Sequence, residues 1–466
     1  MGTDKTLVAI EMGSSSIRGI IGQRRADGTL LVLGYERENT PDCVRKGVIF
    51  NIDKTVQAIS NIIKRIEERQ KVYVNKVYVG ISGQSLRTVK NEVIRNFDVK
   101  VSISDEIVDG LMQDNCARIY DDCEILDVAP QEFRVGSRMT NEPVGVMADH
   151  IEGYYQNVIA RTVLSENIKR CFQALGKEIA GFYISPLLLA NYLLTDIEKR
   201  SGCALVDLGA DTTTVAVYEK NILRHLVVIP LGGNNITADI ASALKMEMEE
   251  AEQLKRSFGS AYYDEEDSDS TRMINISNGR TVEEKRLRDI IEARQQEILE
   301  NVKHQISVFS EQLLAGVIFT GAAANIKNLE NAFATYAHFD KQIKTRFNSP
   351  TPEYTTSLKL DPQANNIATL VAMLRRANVE CTSEKPLEPT LDFDAPQTDT
   401  LAASQPAAGE GVVTKTEPKP ADVPDEPEDV KLEGTDENED KPKQPGFFSK
   451  FGKKMGQILS GLVEEN

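Results

Sequence analysis

Apolar and polar positions alternate in three recognisable ways along this chain. Thr6–Gly22 reads as a β-branched run, a glycine-serine turn at Gly13-Ser-Ser-Ser16 and a second run, which predicts two strands joined by a tight turn. A third strand is expected over Leu30–Tyr35, after the Asp27-Gly28 turn. Thr55–Arg69 carries apolar residues at 56, 59, 62, 63 and 66, a helical spacing, and Lys76–Ile81 is a short strand of buried type. The same order returns 196 residues later, where Cys203–Leu208, a turn at Gly209-Ala-Asp-Thr212 and Thr213–Tyr218 repeat it. A third strand, Leu223–Pro230, again follows a turn, Lys220-Asn221. A duplicated strand–turn–strand unit of this size predicts two related lobes rather than a solenoid.

Between the halves, residues 85–165 read as an inserted α+β segment, with a helix expected over Ser104–Tyr120 from apolar positions 107, 108, 111, 112 and 119. Residues 287–314 show one long helical pattern, and Ala315–Leu329 reads as strand, small-residue turn and helix. After Cys381 the patterning stops. Residues 381–445 hold 17 acidic and 6 basic residues and 10 of the 18 prolines, a composition that cannot bury enough apolar surface to fold. Patterning resumes at Gly446. On a wheel of about 100° per residue, Phe447, Phe448, Phe451, Met455, Ile458, Leu459 and Leu462 share one arc, with Lys450, Lys453 and Lys454 opposite. This predicts an amphipathic helix with a cationic face, the pattern of an interfacial membrane anchor.

Composition narrows the function classes. A formal charge of −17 leaves no cationic surplus for phosphate backbones and argues against nucleic-acid binding. No apolar stretch reaches the ~18 residues that a membrane span needs. Six cysteines without a CxxC pair and four scattered histidines argue against a zinc site and for a reducing cytoplasm.

The chemistry concentrates in the two turns. Each has a carboxylate at the strand end (Glu11, Asp207), one residue, a glycine (Gly13, Gly209) and then hydroxyls. Backbone N–H groups of such a turn suit an anion, and the carboxylates suit Mg²⁺ held through water. Gly232-Gly233 before a helix start is a further candidate anion site.

Taken in order, these pieces resemble the actin-like nucleotide-binding superfamily, and within it the bacterial FtsA cell-division family. The likeness is carried by Pro130-Gln-Glu-Phe-Arg-Val, Asn141-Glu-Pro-Val-Gly-Val-Met147, Ser185-Pro-Leu-Leu-Leu-Ala190 and Cys203–Gly209. Arg224–Ala241 adds to it, and the likeness spans roughly 5–380 and 446–463. It implies an α/β, actin-like two-lobed fold of duplicated ribonuclease-H-like domains. The first lobe would run over 1–84 and 166–200, the inserted subdomain over 85–165 and the second lobe over 201–380. A disordered linker, 381–445, and a membrane-targeting helix, 446–466, would follow.

The resemblance also implies ATP with Mg²⁺ between the lobes. Glu11, Gly13, Ser14 and Ser15 form the first phosphate loop, and Asp207, Gly209, Thr212 and Thr213 the second, with Gly232 and Gly233 beside them. Glu252, Lys255 and Arg256 would face ribose and adenine, with Gly321, Ala322 and Asn325 as the adenosine loop. Glu11 and Asp207 would face the metal. The implied role is a polymerising protein on the inner face of the cytoplasmic membrane, at the division site, that tethers the tubulin-like partner FtsZ and meets other division proteins. Arg286, Arg288 and Arg294 lie in the region where the family receives the FtsZ tail.

There are departures. Glu11 stands where most of the superfamily has Asp, Ser16 where Lys is common, and Ala322 where Gly is usual. Asp211 puts a negative charge beside the phosphates. Ser185 replaces a glutamate that positions the attacking water in chaperone-type relatives, so turnover is expected to be slow. A small-molecule kinase or a chaperone-type ATPase of the same superfamily is the alternative. The first lacks a marked acidic base, and the second lacks room for a peptide-binding domain.

Overall fold

In the computed structural model, residues 4–384 are described, apart from 41–42, 264–271, 277–278, 338, 340–342, 348–353, 357 and 359–366. The expected linker and terminal helix therefore lie outside the described residues.

Strands β1 (Lys5–Met12), β2 (Ser16–Arg24) and β3 (Leu30–Asn39) form an antiparallel meander. Helix α1 (Ile52–Gln70) starts where the Asn51 side chain accepts the Lys54 N–H at 3.0 Å and ends at left-handed Lys71. It buries Ala58, Ile59, Ile62, Ile63 and Ile66, each large side chain contributing about 1.5–3 kcal/mol of transfer free energy. Strand β4 (Lys76–Ile81) returns parallel beside β1.

The inserted segment holds β5 (Arg87–Ser102), α2 (Asp105–Cys116), β6 (Cys123–Val135) and β7 (Met147–Arg161). Helix α2 is shorter than its apolar spacing predicts: it stops at Cys116 and leaves Ile119 87% exposed. The chain then re-enters the first sheet through α3 (Thr162–Ala174), β8 (Glu178–Ile184) and α4 (Ser185–Leu193). The first sheet has the order β8-β4-β1-β2-β3, with Thr355–Thr356 at its edge.

The second half repeats this plan. Strands β9 (Cys203–Leu208), β10 (Thr213–Glu219) and β11 (Ile222–Ile229) form the meander, followed by helices α5 (Gly233–Leu244), α6 (Met248–Phe258) and α7 (Glu284–Ile306). Strand β12 (Gly316–Thr320) lies parallel to β9, and α8 (Leu329–Ala337) and β13 (Thr345–Phe347) follow; α9 (Ala368–Arg376), expected in the second lobe, instead buries Leu370–Leu374 in the first core beside β1 and α4. The order β13-β12-β9-β10-β11 matches β8-β4-β1-β2-β3 strand for strand. The 196-residue repeat is thus a repeat of topology.

Helix α7 ends at Ile306 and tightens into a 3₁₀ turn over Ser307–Phe309, well short of residue 314. The apolar period outlasts the helix because Leu313 is still buried, from a loop.

Two features position the site. Strand β9 is buried on both sides. Cys203 and Leu205 join the core that includes β1 and α1, while Ala204, Val206 and Leu208 join a second core with α5 and α7. The inserted sheet also continues the second sheet, because β5 pairs with β11 at Arg87–Val227 and Thr88 exchanges hydrogen bonds with Leu226. Chain connectivity ties the insertion to the first lobe, whereas sheet hydrogen bonding ties it to the second.

Candidate nucleotide site

The two turns close by the same bond. Gly13 N–H donates to Ser16 O at 3.1 Å, and Gly209 N–H donates to Thr212 O at 2.8 Å. Strand register then sets the partners of each carboxylate. Glu11 lies opposite Arg18 and beside Gly80; Asp207 lies opposite Thr214 and beside Thr320. The Arg18 guanidinium pairs with Glu11 Oε2 at 2.8 Å, both side chains being largely buried.

Asp207 is the perturbed acid. Burial, and then the negative charge of Glu11, push its carboxyl up to about 6, with Arg18 pulling the other way. The charges of the two carboxylates therefore act on each other, and the Arg18 cation acts on both. Mg²⁺ takes few protein oxygens and completes its shell with water and phosphate, so a two-carboxylate set suits it. Among the described residues no group of three or more His, Cys, Asp or Glu gathers as a metal cage. Arg18 is the site residue that sequence reasoning missed. Its signal was the two-residue spacing from Ser16, which puts both on one face of β2.

The glycine pair works differently from the expectation. Gly232 N–H donates to Asn235 Oδ1 at 2.9 Å, Gly233 N–H to Gly209 O at 3.0 Å and Asn234 N–H to Ala210 O at 2.7 Å. The first amides of α5 are thus spent on the second turn instead of being offered to an anion. A Cβ on Gly232 would stand 2.6 Å from Ala210 O, so glycine is what lets the helix sit directly against that turn.

The expected adenosine side gathers around α6. Lys255 Nζ donates to Gly233 O at 2.9 Å and Thr237 Oγ1 at 2.8 Å, and pairs with Glu252 Oε2 at 2.6 Å. Glu252 also accepts from Thr237 Oγ1 and from Arg256, whose side chain is otherwise 76% exposed. Burial draws Lys255 below its ordinary value. It opposes the Glu252 charge too, yet Lys255, Thr237 and Arg256 hold that carboxyl below the usual range. Gly321 has φ +94°, and a Cβ there would meet Asp207 Oδ1 and Leu208 O at 2.4 Å. The 3₁₀ turn Ala322–Asn325 follows, with Ala323 packed on Gly233. Contacts thus join the expected adenosine loop, the α5 start and the second turn into one wall.

The two turns are bridged by the hairpin Val44–Ile49. Lys46 N–H donates to Asp211 Oδ2 at 3.0 Å, and Gly47 N–H donates to Ser14 Oγ at 2.9 Å.

The three arginines expected to receive a partner are mostly turned inward. Arg294 bonds Asp239 of α5 at 2.6 and 3.0 Å and also pairs with Glu297. Arg288 pairs with Glu284 at 3.3 Å and covers the Tyr263 ring, and exposed Arg286 donates to Ala243 O. The residues expected to face a membrane, from Phe447 to Leu462, lie outside the described residues, among which no helix is long and apolar enough to cross a membrane.

The family described as cell division protein FtsA matches residues 204–358, and the SHS2 domain inserted in FtsA matches residues 83–159. The cell division protein FtsA of Bacillus subtilis is 30% identical over 339 residues, covering 70% of this chain and 75% of that protein. The chain belongs to the FtsA family. Its FtsA relative from Porphyromonas gingivalis is 29% identical over 330 residues, covering 68% of each chain. Among solved structures, a PilM–PilN type IV pilus biogenesis complex superposes with a TM-score of 0.55 at 13% identity, covering 79% of this chain and 96% of that one. The fold is actin-like and carries the insertion found in FtsA.

Proposed function

We propose that this FtsA-family protein binds Mg-ATP in the cleft between its two turns, polymerises, and tethers FtsZ filaments to the inner face of the cytoplasmic membrane. The observation that carries the nucleotide reading is the pair of turns closed by the same glycine N–H bond, each behind a strand-end carboxylate. Glu11 and Asp207 would hold the metal through water, and Mg²⁺ supplies charge neutralisation for the phosphates. Arg18 balances the paired carboxylates. Glu252, Lys255 and Gly321–Asn325 would receive the nucleoside. Ser185 is buried, and by the resemblance it stands in for the water-positioning acid of chaperone-type relatives, so slow turnover is expected.

The tether rests on the terminal residues and on family membership. Burying seven large apolar side chains is worth roughly 10–20 kcal/mol gross. Ordering about 18 residues costs a comparable amount, and three lysines add about 1 kcal/mol each on anionic lipid. Binding by one copy is then marginal, and polymerisation converts it to firm attachment by avidity. FtsZ, filament contacts and lipid complete the partner set; of the basic run, the exposed Lys285–Arg286 end is the part open to an acidic tail.

The test is co-sedimentation of FtsZ with anionic liposomes. The full chain with Mg-ATP should carry FtsZ into the pellet, whereas truncation after Pro445, or Phe451→Glu with Leu459→Glu, should leave it in the supernatant. FtsZ pelleting equally with the truncated protein contradicts the tether.

A further inference from the structure

One contact in the cleft is not explained by nucleotide binding alone. Lys46 and Gly47 are consecutive left-handed residues, with φ 49° and 75°, at the tip of the Val44–Ile49 hairpin. Such a two-residue hairpin turn leaves the N–H groups of its two central residues outside the strand ladder and available to other acceptors. Here the two amides go to opposite lobes: Lys46 N–H to Asp211 Oδ2 of the second turn, and Gly47 N–H to Ser14 Oγ of the first.

The hairpin is itself held in place. Gln84 N–H donates to Lys46 O at 3.0 Å, and Gly47 packs so closely on Ser82 and Gly83 that a Cβ would meet them at 2.7 Å. Asp211 is equally fixed on its own side, its Oδ1 accepting from Asn234 Nδ2 at 2.7 Å. The contact order along the wall runs from Gly321–Ala323 and Lys255, through Gly233 and Gly209, to Asn234 and Asp211, and on to Lys46. Asp211 is therefore at the end of the second turn away from the nucleoside side, where a nucleotide's terminal phosphate would lie. A carboxylate and a phosphate there seek the same donors and repel each other.

We propose that Asp211 is a clasp that joins the lobes through the Lys46 amide, and that the terminal phosphate of a nucleoside triphosphate displaces it and takes over the hairpin amides. Asp211 then sets the preference between triphosphate and diphosphate. Its charge weakens binding of the nucleotide that reaches it and leaves the shorter one little affected. This deepens the nucleotide reading given above and rests on it.

Two measurements decide the matter. The first uses no nucleotide: residue-resolved amide hydrogen exchange on the full chain and on Asp211→Ala. Exchange at the Lys46 amide should rise about tenfold in the variant, and Gly47, held by Ser14, should change less. An unchanged Lys46 rate overturns the clasp. The second is calorimetry with Mg-ATP and Mg-ADP on wild type and on Asp211→Asn, which keeps the shape and removes the charge. ATP should bind about tenfold tighter to the variant and ADP should stay within about threefold. Equal changes for both nucleotides, or weaker ATP binding, overturn the displacement. Failure of wild type to bind ATP overturns the cleft assignment and the displacement with it, while the exchange rate judges the clasp separately.

Discussion

The two turns share one backbone and differ in charge. In each, a glycine N–H closes the turn on the carbonyl three residues on, behind a carboxylate at the end of the first strand of an antiparallel meander. Around the first turn the side chains are compensated: Glu11 faces Arg18 at 2.8 Å, and the tip is a hydroxyl, Ser14. Around the second they are not. Asp207 meets burial and the charge of Glu11, and the tip is a second carboxylate, Asp211. The second turn is also braced by α5 pressed against it through Gly232. The duplicated turns keep one backbone geometry and differ in charge, with a half paired to an arginine and a half that carries two carboxylates.

The largest effect should come from the wall behind Asp207. Gly321→Ala puts a Cβ 2.4 Å from Asp207 Oδ1 and Leu208 O at a φ of +94°, so neither space nor backbone accommodates it. A loss of roughly 3 kcal/mol or more in urea unfolding is expected. Next in size is the contrast between the two acids. The Asp207 carboxyl is raised from 3.8 to about 6 in the folded chain, so folding favours its protonated form. Its contribution is most favourable below about pH 4 and is lost as pH rises through about 6. Asp207→Asn should therefore stabilise the protein at pH 7.5 by about 1–3 kcal/mol, a gain that fades towards pH 4. Glu11→Gln, which removes the charge that the Arg18 guanidinium meets at 2.8 Å, should instead destabilise by about 1 kcal/mol. Equal signs for the two substitutions would break the comparison. A smaller effect sharpens it. Arg18→Ala should move the Asp207 midpoint above 6 by up to about one pH unit in an NMR titration, and Lys46→Ala should leave it in place.

Much of this was legible in the chain itself. The β-branched runs around Gly13 and Gly209 announce both meanders, and their spacing announces the duplication, because strand period and turn chemistry are local properties. Lys76–Ile81 was readable to the residue, being short, apolar and bounded. What escaped depends on register or distance. Arg18 enters the site only because β1 and β2 pair Glu11 with it. The clasp joins positions 165 apart in sequence, and no periodicity encodes that. Gly232 and Gly233 read as free helix amides in the sequence, but Asn235 Oδ1 takes the first and the second turn takes the next. Ile119 keeps helical spacing but lies beyond the end of α2, and Leu313 stays apolar because a loop also buries it.

The central claim is that the second turn's carboxylate and the cleft it lines hold a metal nucleotide. Titrating Mg-ATP into the wild-type protein and into Asp207→Ala by calorimetry at pH 7.5 tests it directly. The account predicts measurable binding by wild type, weakened at least tenfold in the variant and weakened also in wild type as pH falls through about 6, where Asp207 takes up a proton. Equal affinity in the two proteins would contradict it.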